Sequence, residues 1–213
     1  MQSTHGGRGI VNATYSNQQM INKRLEGYHL ILASASPRRQ YLLKELGLDF
    51  EICSTNVKEE YPGGLKPKEV AIFLAELKAA SYDTARMNPK AILIAADTIV
   101  VLGNEILGKP ANHDEAVIML KKLSGNKHDV ITAVCLKSKK KKKTIHVQSS
   151  VYFKELSLEE IEYYIRNFQP FDKAGGYGVQ EWIGYIGIHK IEGSFFNIMG
   201  LPVKELYEEL LTF

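Results

Sequence analysis

The chain has 213 residues, 45% hydrophobic and 24% charged, which is enough for one large core or two modest lobes. Its 27 Lys+Arg against 24 Asp+Glu leave a net charge of only +3, much of it in the run Lys139 to Lys143, so overall charge does not point to nucleic acid. No apolar run approaches the roughly 18 residues of a membrane span, and the two cysteines, Cys53 and Cys135, lie in apolar segments without CxxC or Cys/His spacing, as reduced core residues of a cytosolic protein do.

Residues 1–27 read as an N-terminal extension, and residues 28–213 as one domain. The first 25 residues lack acids and carry Arg8, Lys23 and Arg24, yet show neither an apolar signal core nor helical periodicity. That favours a disordered tail over a weak organellar address. Tyr28 to Ala33 reads as a strand, followed at once by Ser34-Ala35-Ser36-Pro37-Arg38-Arg39. Ser36 suits a helix N-cap and Pro37 the first helical position, with Leu42, Leu43 and Leu46 as the apolar face before Gly47. Such a junction suits an anion, because backbone N–H groups converge there and Arg38 and Arg39 add forked donors. It is no Walker loop, since GxxxxGK[ST] is absent, and a capped surface helix with solvated arginines is the alternative.

A second strand, Phe50 to Cys53, leads into a Pro/Gly loop holding Glu59 and Glu60, a pair suited either to a metal or to water. Helical spacing begins near Lys68, with Lys78 in its second half as a surface lysine or a cation aimed at a site. The apolar run Ala91 to Leu102 is interrupted by Asp97. A carboxylate inside a buried strand is costly unless it is hydrated, paired or bound to a cation, so Asp97 is the leading candidate for chemistry, with a turn cap as the alternative.

Gly103-Asn104 predicts a hairpin turn, and Lys109, between glycine and proline, sits on backbone unsuited to a helix. Asp114 to Leu123 reads as a helix and His128 to Leu136 as a strand. The lysine run suggests a solvated hairpin tip before a strand over Ile145 to Phe153, and it lacks the interleaved aromatics of a nucleic-acid platform. Ser157 opens a helix with a capping box that Pro170 closes. Asp172 to Gln180 holds three glycines within four positions, backbone that can approach a ligand, flanked by an acid, Lys173 and an amide able to read a base edge. Ile183 to Ile191 reads as a strand, Gly193 to Gly200 as a turn-bearing segment and Pro202 to Leu211 as the last helix.

Anion donors, acids, cations and an amide together form the inventory of a nucleotide phosphate site. LASASPRR at 32–39, AADTIVV at 95–101, LGKP at 107–110, LSGNKHDVITAV at 123–134, DKAGGYGVQ at 172–180 and IEGSFFNIMGLPV at 191–203 closely resemble the Maf family, the septum-formation-inhibitor-like nucleotide pyrophosphatases. The resemblance implies an α/β fold with a mixed, strongly twisted central sheet flanked by helices, two lobes around a substrate cleft, as in inosine triphosphatases. It also implies hydrolysis of nucleoside triphosphates to the monophosphate and pyrophosphate with Mg²⁺ or Mn²⁺, in a cytoplasmic homodimer without membrane or stable nucleic-acid partners.

Asp97 matches the family's proton acceptor, acting on water directly or while ligating metal, and Glu59 matches an acid that helps hold metal. Ser34, Ser36, Arg38 and Arg39 fall in the phosphate-binding junction, and Lys78, Lys109 and Lys173 match cleft lysines. Arg38, Thr98 and Gln180 match the specificity positions of the branch acting on dTTP and UTP. The branch preferring 7-methyl-GTP has tryptophan, glutamine and glutamate there. Glu181-Trp182 departs from the glycine-rich continuation of many relatives. The competing class is a non-enzymatic regulator of septation acting through protein or nucleic-acid contacts.

Overall fold

The computed structural model describes residues 21, 23–55, 57–83, 85 and 87–213. The expected tail over residues 1–20 lies outside the described residues. Ile21 and Leu25 are buried in the main core, and the Leu25 N–H donates to the Ile21 carbonyl at 2.9 Å. The packed body therefore includes residues ahead of the expected boundary at 28.

Among the described residues, seven strands build one mixed sheet in the order β2-β1-β3-β5-β6-β7, with β4 paired to β3. They are β1 (His29–Ala33), β2 (Phe50–Cys53), β3 (Ala91–Leu102), β4 (Glu105–Leu107), β5 (Lys127–Lys137), β6 (Lys142–Phe153) and β7 (Ile188–Glu192). β1 runs parallel to β2 and β3, whereas β4, β5, β6 and β7 add antiparallel. Along one edge of β3, β1 covers Ala91–Ala95 and β4 covers Val100–Leu102. Neither reaches Ala96–Ile99, while β5 pairs continuously along the other edge. The sheet is therefore split on one side of Asp97.

Side-chain alternation along the strands separates two apolar layers. Ile31, Leu93, Ala95, Ile99 and Val101 pack against helix α2 (Pro67–Ala80) through Val70, Ala71, Leu74 and Ala75. Leu32, Ile92, Ile94, Ala96 and Val100 face the larger layer. That layer holds α1 (Pro37–Glu45), α3 (His113–Leu123), α4 (Leu158–Phe168) and α7 (Val203–Thr212), which contribute Leu42, Leu43, Leu120, Leu123, Ile161, Ile165, Leu206 and Leu210. Among the described residues, no helix is long and apolar enough to cross a membrane.

Two segments depart from the sequence reading. Ile183 to Ile191 is not one strand: Trp182–Gly187 forms helix α5 and only then does β7 begin. Gly184 explains the turn, because a Cβ there would lie 2.0 Å from the Val179 carbonyl oxygen. Only glycine lets the helix close against that backbone. Within Gly193–Gly200, Ser194 caps a short helix α6 (Phe195–Met199). The lysine run also differs from a free tip. Lys142 and Lys143 lie in β6, and they pair with Glu76 at 2.6 Å and Glu209 at 2.5 Å.

Candidate active site

The interruption in β3 puts Asp97 on the α2 face, 4% exposed. Lys78, on the buried stripe of α2 at i+4 from Leu74, reaches it. The Lys78 ammonium lies 2.5 Å from Asp97 Oδ1 and 2.8 Å from Glu59 Oε1. The loop after β2 thus brings a half-exposed acid to a buried one through a shared lysine. A lysine on an otherwise apolar helix stripe is the sequence signal for this, and it makes the surface reading of Lys78 untenable.

Thr98 is the next residue along the chain and faces the opposite side of the sheet. There α1 inserts Arg39, 9% exposed. Its Nε donates to the Gly200 carbonyl at 2.8 Å, and Nη1 donates to the Ala96 carbonyl at 2.8 Å and to Ser34 Oγ at 3.3 Å. Nη2 donates to Thr98 Oγ1 at 2.9 Å. The Ala96 carbonyl lies in the split of the sheet, so Arg39 supplies the partner that a strand would have given. Four of its five N–H donors are thereby engaged within the protein. Arg39 is a clamp joining α1, β3 and the end of α6, and it lines the cleft as well. The Thr132 hydroxyl donates to the Asn197 carbonyl at 2.9 Å, so across the 3.0 Å contact between the two threonines it is Thr98 that donates to Thr132.

Arg38, one residue earlier on α1, points into the cleft and donates to Asp172 Oδ2 at 2.9 Å. The other oxygen of Asp172 accepts from Lys173 at 2.7 Å. Ser36 caps α1, accepting the Arg39 N–H. Ser34, 7% exposed, accepts the Ser36 N–H at 3.2 Å. Arg38, Asp97, Thr98, Lys78, Lys109, Lys173, Glu59 and Ser36 line one cleft, and Ser34 lines the depression adjoining it.

Gln180 is the exception. It does not line this cleft, and its buried Oε1 has no hydrogen-bond partner among the described residues. Sequence reading marked Glu181 only as a departure from many relatives and passed over Tyr164; the two bond to each other behind the cleft wall. Nothing in their local spacing signals that contact, because they approach across the fold.

The two acids on Lys78 are pushed in opposite directions. Burial raises Asp97 above the ordinary carboxylate range against the pull of Lys78. Burial also pushes Glu59 up, but its hydrogen bond to Lys78 and the charges of Lys78 and Lys109 bring it below that range. Divergent acids at one site suit separate roles, one gaining proton affinity and the other staying ionised. Among the described residues, no group of three or more His, Cys, Asp or Glu is placed to hold a metal ion. Glu59 and Asp97 offer two carboxylates on one cation, a donor set that fits a hard divalent ion completing its oxygen shell from phosphates and water.

A mixed sheet split beside a buried carboxylate, facing a cleft lined by Arg38, Lys78, Lys109 and Lys173, defines a protein that receives a polyanion such as a nucleotide phosphate chain. The profile of the Maf-like protein family matches residues 29–213, and the chain belongs to that family. It is 48% identical over 193 residues to a Flavobacterium johnsoniae protein named dTTP/UTP pyrophosphatase, covering 91% of this chain and 99% of that one. A Phocaeicola vulgatus protein of the same name is 50% identical over 189 residues, covering 88% of this chain and 97% of that one. Among solved structures, the Staphylococcus aureus Ham1 protein overlaps at a TM-score of 0.36 and 13% identity, over 59% of this chain and 71% of that one.

Proposed function

We propose that the chain is a nucleoside triphosphate pyrophosphatase that hydrolyses dTTP and UTP to the monophosphate and pyrophosphate. The observation that carries this is Asp97, buried at the break in the sheet and opening onto a cleft lined by Arg38, Arg39, Lys78, Lys109 and Lys173. The names of relatives near 50% identity over almost their whole length agree with it.

Asp97 accepts the proton of an attacking water while the anhydride bond between the α and β phosphates breaks and pyrophosphate leaves with the electron pair. A triphosphate brings about four negative charges; Arg38, Lys78 and Lys109 stabilise the charge that moves onto the leaving pyrophosphate, while Lys173 binds the phosphate chain throughout. Ser36 and the N–H groups at the start of α1 add neutral donors to the phosphates. A divalent ion, Mg²⁺ or Mn²⁺, would be held by Glu59 and Asp97 and would neutralise phosphate charge. Base selection falls to Arg38, Thr98 and Gln180. The first two line the cleft, and the third lies outside its lining with a buried amide oxygen that has no hydrogen-bond partner among the described residues. Cytoplasmic residence and a homodimer complete the reading, the latter tested by light scattering on the eluting protein. A non-enzymatic septation regulator is less favoured, because a binding module has no need of a desolvated acid among cations.

Purified protein with Mg²⁺ or Mn²⁺ and a panel of normal and modified nucleotides should release monophosphate and pyrophosphate, with dTTP and UTP preferred. Orthophosphate as the released product, or no turnover, would refute the assignment.

A further inference from the structure

Lys173 is 8% exposed yet opens onto the cleft. A buried ammonium is costly unless its protons are matched by acceptors. Asp172 takes one at 2.7 Å, but that carboxylate is half exposed and also binds Arg38, so it stands in the path of an entering phosphate chain. The second acceptor is Glu181 Oε1 at 3.2 Å. Glu181 does not line the cleft.

Glu181 is itself held from two sides. Its Oε2 accepts from the Tyr164 hydroxyl, which in turn accepts the Gly178 N–H at 2.9 Å. A Cβ on Gly178 would fall 2.6 Å from the Glu181 carboxyl carbon, so glycine there is what lets the carboxylate lie against the loop. Burial and Glu181 both push Tyr164 to higher pKa, keeping it a donor. Tyr164 sits on α4, a helix fixed by the capping box of Ser157 and Glu160. The chain of contacts thus runs from a rigid helix to a cleft lysine.

We propose that Glu181 is a positioning residue of the reaction: anchored by Tyr164, it holds the Lys173 ammonium at the cleft wall when Asp172 and Arg38 part to admit the triphosphate. The proposal rests on the reading of Lys173 as a phosphate-binding group. With Glu181 fixing one N–H and Asp172 displaced, Lys173 turns the other donors to phosphate oxygens. Such a contact exists in the ground state and in the transition state alike, so its loss raises KM and leaves kcat little changed.

The test is steady-state kinetics with dTTP and Mg²⁺ on E181A, E181Q, K173M and the E181A/K173M double variant, each with its thermal midpoint recorded. E181A should raise KM about tenfold with kcat within about threefold. E181Q keeps the bulk and an acceptor for Tyr164 and should fall between wild type and E181A; where E181A does not fold, E181Q carries the test. In the K173M background, E181A should change KM by less than about twofold, because Glu181 acts through Lys173. Impaired K173M beside wild-type kinetics in E181A and E181Q overturns the Glu181 proposal and leaves the site reading intact. Fully additive effects in the double variant overturn it as well. Wild-type kinetics in K173M removes the phosphate role of Lys173, and the proposal falls with it.

Discussion

Asp97 sits where a strand residue should be apolar, and its surroundings explain why it is tolerated. Lys78 pairs with its charge, while burial, and to a lesser degree the neighbouring Glu59, leave it with raised proton affinity. Asp97→Asn keeps the shape and removes the proton acceptor, so turnover should fall by about 10²-fold or more with the thermal midpoint near wild type. Wild-type-like pyrophosphate release by that variant would contradict the assignment. His128 gives a second residue-scale expectation. Its Nε2 lies 2.7 Å from the Tyr177 hydroxyl, it is 1% exposed, and burial lowers its pKa to about 4. Between the unfolded value near 6.5 and that folded value, the unfolded chain binds the extra proton. Stability is therefore fully present above pH 6.5 and declines as pH falls toward 4, by about 3 kcal/mol in all. Denaturant unfolding across that window should show the slope, and His128→Phe should flatten it. An unchanged slope in the variant would place the linkage elsewhere.

Among elements, the strand-to-helix junction at 34–39 was legible as an anion site because Ser36, Pro37 and two arginines carry local signals. The division of labour between the arginines was not. Arg38 and Arg39 are adjacent, but 100° of helix rotation sends one to the cleft and the other into the split of the sheet. Likewise Asp97 and Thr98 read as neighbours in one site; both line the cleft, but the period of two brings them to it from opposite faces of the sheet. The sequence also misled over Ile183 to Ile191, where isoleucines at 183, 186, 188 and 191 look like a strand until Gly184 meets the Val179 carbonyl. Arg39→Met should strip partners from the Ala96 and Gly200 carbonyls and lower unfolding stability by about 3 kcal/mol or more. A loss under about 1 kcal/mol in denaturant titration would show that these carbonyls find other partners.

At the scale of the whole molecule, β1 and β4 share one edge of β3 without meeting, and the gap between them is where α1, α2, α6 and the loop after β2 converge. The mixed sheet flanked by helices follows from reading strands and helices in order. The gap does not, because strand pairing is long-range and no local pattern records which edge of β3 each neighbour takes. The cleft cations were recognisable as a set, while the pair of Arg38 with Asp172 joins distant segments that no local spacing links. Whether this cleft cleaves the α–β anhydride of dTTP and UTP is decided by identifying the products. Wild-type protein incubated with dTTP and Mg²⁺ should yield dTMP and pyrophosphate in equal amounts, and Asp97→Asn neither. Orthophosphate with dTDP from the wild-type protein would contradict the account.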